Sequence, residues 1–266
     1  HLKEAARRTA EWSNRVEATK IGFGAADRGR IGHLAAKMMK RSKAIEKRRY
    51  REIEEKSKLL KNIESADHLK VSFLSFHSQR LITVDKLSLF YGTRSVCENV
   101  TFHIDQGDRL GILGKNGSGK TSIIKLILGE EGKIRYSGNF EKKSGLILSY
   151  ISQDTSYLQG DLKEYAIRQE IDESLFKAIL RKLDFSRIQF EKDMSNLSEG
   201  QKKKILIARS LCERAHLYIW DEPLNYIDIL SRIQIKDLIV TYKPTILFVE
   251  HDKAFCTDIA TKTVCL

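Results

Sequence analysis

Gly114-Lys115-Asn116-Gly117-Ser118-Gly119-Lys120-Thr121 fits G-x-x-x-x-G-K-[ST], with the apolar run Arg109-Leu-Gly-Ile-Leu113 before it and a helix-like run, 122–128, after it. Strand, glycine-rich turn and helix in that order read as a P-loop. The spacing has a physical purpose. Glycines let the backbone wrap closely around phosphates, and N–H groups at the helix start point at anionic oxygens. Lys120 then reaches the β- and γ-phosphates and Thr121 can hold Mg²⁺. The expected substrate is a nucleoside triphosphate.

Further segments follow in order. Leu217-Tyr-Ile-Trp-Asp221-Glu222-Pro223 is an apolar strand ending in two carboxylates. That form suits a site where Asp221 supports the Mg²⁺ shell and Glu222 polarises the attacking water, so hydrolysis rather than binding alone is expected. Between the P-loop and this strand lie Gln153, just after the strand-like 146–151, and Leu197-Ser198-Glu199-Gly200-Gln201, just before the basic helix-like stretch 202–214. Downstream, Thr245-Ile-Leu-Phe-Val-Glu-His251-Asp252 is another strand with a polar end. Strands rich in Ile, Leu and Val with polar ends suit a buried parallel sheet that presents ligands along one edge.

This set resembles the nucleotide-binding domain of ATP-binding-cassette (ABC) ATPases over roughly residues 80–266. By that resemblance Gly114, Lys115, Asn116, Gly117, Ser118, Gly119, Lys120 and Thr121 are the Walker A motif, and Asp221 and Glu222 the Walker B pair. Gln153 is the Q-loop glutamine, and Leu197, Ser198, Glu199, Gly200 and Gln201 are the signature. Asn225 and Asp228 bound the D-loop, and His251 is the switch histidine. Tyr91, in Leu89-Phe-Tyr-Gly92, alone reads as a strand-packing aromatic; its place upstream of the P-loop matches the aromatic that stacks on adenine. The implied cofactors are ATP and Mg²⁺, the latter on Thr121, Gln153 and Asp221. Glu222, Gln153 and His251 are the implied catalytic set, with Gln153 and His251 sensing the γ-phosphate. Ser198-Glu199-Gly200 departs from the family's Ser-Gly-Gly and puts a carboxylate beside an anion. The implied fold is α/β: an ABC-type P-loop ATPase domain with an antiparallel β-subdomain at about 81–112 and a small helical subdomain within 154–196.

Composition agrees. A chain of 266 residues suffices for one α/β catalytic core plus an appendage. No apolar run approaches the eighteen or so residues that span a bilayer, and the start lacks a charged-then-apolar secretory pattern. No membrane partner is expected, and the expected location is cytoplasmic. Cys97, Cys212, Cys256 and Cys265 lack C-x-x-C spacing and stand in apolar segments, so buried reduced thiols are expected.

The net charge of +12 is unevenly placed. Residues 1–70 carry 19 Lys/Arg against 10 Asp/Glu, and residues 71–266 carry 28 against 25. The basic segment has helical periodicity at Leu2, Ala5, Thr9, Trp12 and Val16, and again at Ile31, Leu34, Ala35, Met38 and Ile45. Gly22, Gly24, Gly29 and Gly32 interrupt it, which predicts a helical hairpin whose second helix, 34–63, is about 45 Å long. A basic hairpin directly before an ABC domain resembles the interdomain linker of the ABC-F proteins, soluble twin-cassette ATPases that bind ribosomes. Lys37-Met-Met-Lys-Arg-Ser-Lys43 and Glu222-Pro-Leu-Asn-Tyr-Ile-Asp228 look most like the branch that protects ribosomes from lincosamides, streptogramin A and pleuromutilins. The division is then 1–68 hairpin, 69–80 connector and 81–266 nucleotide-binding domain. Helical periodicity is already running at His1, so an N-terminal cassette is expected to precede this one as its partner. Ribosomal RNA, met by the hairpin, is the second expected partner. Because the signature serves the opposite nucleotide, the chain alone is expected to hydrolyse ATP weakly unless it forms a homodimer. Two other readings stay open: an ABC transporter's ATPase subunit, and an ATP-gated clamp whose turnover is incidental.

Overall fold

The computed structural model describes residues 69, 71–130 and 132–266. The expected hairpin, 1–68, lies outside the described residues.

Apolar positions alternate through β1 (Arg80–Tyr91) and β2 (Arg94–Asp105), a pattern that gives half-buried strands. They pair antiparallel, and an irregularity at Asp85 and Lys86 keeps Ile82, Val84, Leu87 and Leu89 all on the buried side. β3 (Arg109–Leu113) has a buried centre, leads into the P-loop and is followed by α1 (Lys120–Leu128). β4 (Ile134–Lys142), mostly exposed, pairs with β1 to complete a sheet of order β2-β1-β4. This corrects the expected extent of the antiparallel subdomain. β3 belongs to the other sheet, because its apolar middle is buried on both faces, and the third antiparallel strand arrives only after α1.

β5 (Leu148–Ile151) opens the second sheet. After it come α2 (Leu162–Arg168), α3 (Glu173–Lys182), the short α4 (Arg187–Phe190) and a 3₁₀ turn at Met194–Asn196. Asp161, Asp172 and Asp193 cap α2, α3 and the turn through backbone N–H groups, and Ser186 and Gln189 form a capping box at α4. This is the small helical subdomain. α5 (Glu199–Cys212), β6 (Leu217–Asp221), α6 (Ile229–Tyr242), β7 (Ile246–Val249), α7 (Lys253–Ile259) and β8 (Lys262–Cys265) complete the chain.

The five-stranded sheet is parallel throughout, in the order β5-β6-β7-β3-β8. Alternate residues feed two cores. Tyr218, Trp220, Ile246 and Phe248 face the helical side with α5 and α6, whereas Leu217, Ile219, Leu247 and Val249 face α1 and the antiparallel sheet. Burial on both faces is what a parallel sheet needs.

The connector residues pack onto this body. Phe73 meets Tyr218 edge-on at 5.2 Å, the Leu74 N–H donates to the Ala215 carbonyl at 3.1 Å, and the Gln106 side chain bonds the Phe76 backbone in both directions at 2.8 Å. Cys97 and Cys256 are buried and Cys212 is half-buried, as expected of apolar thiols. Cys265 is exposed, contrary to expectation, because it alternates outward on the edge strand β8.

Candidate nucleotide site

A parallel sheet collects all its carboxyl ends at one edge, and there the polar strand ends meet. Gly114 follows β3, Ser152 and Gln153 follow β5, Glu222 follows β6, and Glu250 and His251 follow β7. A cavity of about 770 Å³ opens between this edge and the antiparallel sheet. Tyr91, Asn116, Gly117, Gly119, Lys120, Thr121, Gln153, Glu222, Asn225 and His251 all line it.

Gly119, at φ 97°, caps α1 without any side-chain hydrogen bond, and no acidic residue stands in the first turn. The helix therefore presents its first N–H groups and the positive end of its dipole to the cavity. Gly119 is also where the loop approaches β2: a Cβ there would lie 3.0 Å from Val96 Cγ1 and 3.3 Å from Cys97 Cβ. Lys120 Nζ donates to the carbonyls of Gly114 and Lys115 at 3.0 and 2.9 Å, so its ammonium lies inside the loop's curve. From α1, Ser122 Oγ approaches the Tyr91 hydroxyl at 3.4 Å.

Glu222 takes a left-handed backbone, φ 49°, and its N–H donates to the Val249 carbonyl at 3.1 Å. Side chains from three loops converge on its carboxylate. Gln153 Nε2 and Asn225 Nδ2 approach Oε2 at 2.9 and 2.6 Å, and His251 Nε2 stands 3.3 Å from Oε1. A strained backbone under a carboxylate fixed on both oxygens is a preorganised acceptor.

Asp221 lies beneath Thr121, whose hydroxyl donates to Asp221 Oδ2 at 3.2 Å. Burial raises its carboxyl above the ordinary range, and the Glu222 charge adds to the shift, against the Thr121 hydrogen bond and the Lys203 and Lys120 charges. Its Oδ1 is buried with no hydrogen-bond partner among the described residues.

The ABC transporter family model matches residues 97–225, spanning the P-loop, the signature and Asp221-Glu222. This match supports an ABC-type ATP-binding domain in that span. Its relatives include the Ribosome protection protein VmlR of Bacillus subtilis, 27% identical over 92% of this chain and 45% of the relative. Another is the ATP-binding protein Uup of Caulobacter vibrioides, 27% identical over 71% of this chain and 32% of the relative. These relatives are ABC-F proteins, and the chain spans less than half their length. Among solved structures, one titled "Structure of ATP binding subunit of ABC transporter" is 27% identical, with a TM-score of 0.56 over 70% of this chain and 85% of that one.

The signature residues and Asp228 do not line the cavity. Leu197 is buried in the helical core, Ser198 caps α5 in a capping box with Gln201, and Asp228 caps α6 and pairs with Lys204 at 2.8 Å. The departing Glu199 accepts from the Thr155 hydroxyl and pairs with Lys202 at 3.4 Å, so its carboxylate is engaged within its own cassette. The Thr155 hydrogen bond, helped by Lys202, holds its carboxyl below the ordinary range.

The donors fit magnesium. Among the described residues no group of three His, Cys, Asp or Glu could hold a metal unaided, but Mg²⁺ binds through one or two protein oxygens together with substrate phosphates. Asp221 Oδ1 and the Thr121 hydroxyl are of that kind.

Sequence reasoning missed Arg94, Val96 and Ser122, which also line the cavity. Arg94 pairs with Tyr91 across the β1–β2 turn, a relation visible only once the hairpin register is known. It also missed buried Glu250, whose carboxylate accepts from the Leu224 N–H at 2.7 Å and the His251 N–H at 3.1 Å, tying the loops after β6 and β7 together.

Proposed function

We propose that the chain binds Mg-ATP between Tyr91 and the P-loop and hydrolyses it, as the second cassette of an ABC-F protein that acts on the ribosome. The observation that carries hydrolysis is the Glu222 carboxylate, held by Gln153, Asn225 and His251 at the mouth of the P-loop. In this reading the α1 N–H groups and Lys120 take the phosphate charge, Tyr91 stacks on adenine, and Glu222 orients the attacking water and accepts its proton. Thr121, Asp221 and Gln153 would hold Mg²⁺, which would supply neutralising charge for the β- and γ-phosphates.

Glu222→Gln keeps shape and loses the basic oxygen, so ATP affinity should persist while hydrolysis falls about 10²- to 10⁴-fold. Lys120→Ala should instead weaken ATP binding. Filter binding and phosphate release measure both, and parental turnover in Glu222→Gln would remove Glu222 from this role. Ser198 and Gln201 serve the opposite nucleotide in this arrangement, so the 266-residue chain alone should turn over slowly, and its homodimer faster.

Support for the ribosome comes from the relative VmlR, named a ribosome protection protein, and from the basic segment 1–70. Protection from lincosamides, streptogramin A or pleuromutilins, in the cytoplasm, is the finer form of this reading. The similar transporter ATP-binding subunit supports the rival reading. Sedimentation with ribosomes, with and without ATP, separates them: co-purification with a membrane protein and no ribosome binding would overturn the ABC-F assignment of function.

A further inference from the structure

The chain from Ser149 to Thr155 runs antiparallel to α5 and is tied to it at four levels. Ser149 Oγ lies 2.7 Å from Ser210 Oγ and donates to Glu213 at 2.5 Å, and Arg209 donates to the Tyr150 carbonyl. Farther along, Lys203 Nζ donates to the Ser152 carbonyl at 2.9 Å and Thr155 Oγ1 donates to Glu199 Oε2. Gln153 lies between these last two ties, and its side chain leaves the ladder to reach Glu222. Both ties are made by buried groups: Lys203 is 1% exposed and Thr155 2%. A buried ammonium or hydroxyl costs free energy that a Met or Val of similar size would not, so packing alone does not account for either residue. Burial lowers the Lys203 pKa, against the opposing charges of Asp221, Glu222, Glu250 and Glu199.

We propose that Thr155 and Lys203 are positioning residues for Gln153, clamping both ends of the 152–155 turn to α5 so that Gln153 stays within reach of Glu222. Glu199, which stands where the ABC family has glycine, is the acceptor that completes the Thr155 clamp. The same bonds join a segment that faces this chain's own nucleotide to the helix that carries the signature. The proposal rests on the ATP-hydrolysis reading for its kinetic consequences but not for its structural one.

The test compares Thr155→Val, Thr155→Ser and Lys203→Met, with melting temperature and ATP affinity measured alongside steady-state hydrolysis. A misplaced Gln153 should lower kcat about 10- to 100-fold in Thr155→Val with KM within about twofold, and Thr155→Ser, which keeps the hydroxyl, should restore it. In a Gln153→Ala background Thr155→Val should change kcat less than about twofold, because the residue it positions is gone. An equal loss in both backgrounds, or parental kcat in Thr155→Val, overturns the proposal. Hydrogen exchange across 152–158 reads the clamp without turnover: Thr155→Val and Lys203→Met should each speed it about tenfold and Thr155→Ser should not, a difference of about 1.4 kcal/mol in local opening. Unchanged exchange in Thr155→Val and Lys203→Met also overturns it. A parent that hydrolyses no ATP but shows the exchange difference would sink the hydrolysis reading and leave the clamp standing.

Discussion

Asp221 concentrates the conflict between stability and function in one side chain. It is buried beneath the P-loop with Oδ1 unpartnered among the described residues, and burial raises its folded pKa above the ordinary 3.8. At neutral pH it is ionised in both folded and unfolded chains, and the charge costs free energy only in the fold. As pH falls through the raised folded value, the native protein takes up the proton first and the penalty fades. Asp221→Asn keeps the shape and an acceptor for Thr121. Its melting temperature without nucleotide should therefore rise by about 2–4 °C at about pH 7, on the order of 1 kcal/mol for a domain of this size. The gain should shrink toward zero as pH falls toward 3.8. The same substitution should abolish the Mg²⁺ dependence of ATP affinity. Thermal melts across pH and nucleotide titrations with and without Mg²⁺ check both parts; a gain unchanged in acid would remove the buried charge as its cause.

At the scale of elements, α5 shows what sequence could and could not deliver. Ser198 and Gln201 spell its capping box, and the P-loop, the Asp221-Glu222 strand end and the His251 strand end are short local patterns whose geometry follows from their own spacing. Lys202, Lys203 and Lys204 read only as a basic stretch. Yet all three are buried, because successive residues turn about 100° around a helix and each finds its own partner: Glu199, the Ser152 carbonyl and Asp228. Glu199 is a neighbour on the same helix, but Asp228 lies on another element and Ser152 51 positions away, where no spacing rule reaches. The same reason hid Glu250 and left β4 out of the expected antiparallel subdomain, since its partner strand is separated from it by the whole P-loop and α1. The α5 N-terminus also meets the loop after β6 backbone to backbone. A Cβ at Gly200 would stand 2.3 Å from the carbonyl oxygen of Tyr226, itself at φ 65° and 77% exposed. Gly200→Ala should cost about 1–3 kcal/mol through this overlap, read as a lowered melting temperature. A melt indistinguishable from the parent's would mean that the loop yields freely.

Across the whole molecule, charge and topology set behaviour that no single site does. Of the +12 net charge, the 19 Lys/Arg against 10 Asp/Glu of residues 1–70 supply most. If this segment meets ribosomal RNA, ribosome affinity should fall steeply with salt. Replacing Arg28, Arg30, Lys37, Lys40, Arg41 and Lys43 by Gln should flatten the log–log slope by about 0.7–0.9 for each phosphate that is no longer neutralised. Sedimentation across a salt series measures it, and an unchanged slope would make the segment a spacer. Strand order carries a further consequence, for synthesis. β3 lies between β7 and β8, and Gly107, two residues before it, bonds a threonine 138 positions downstream. At about 5–20 residues per second, the strand that supports the P-loop waits about 8–30 s for both its neighbours. A nascent chain stalled before Thr245 would carry the complete glycine loop on an unflanked strand, so nucleotide crosslinking should begin only once the last strands have emerged. The glycine loop is made well before the strands that flank its own, and should work only after them.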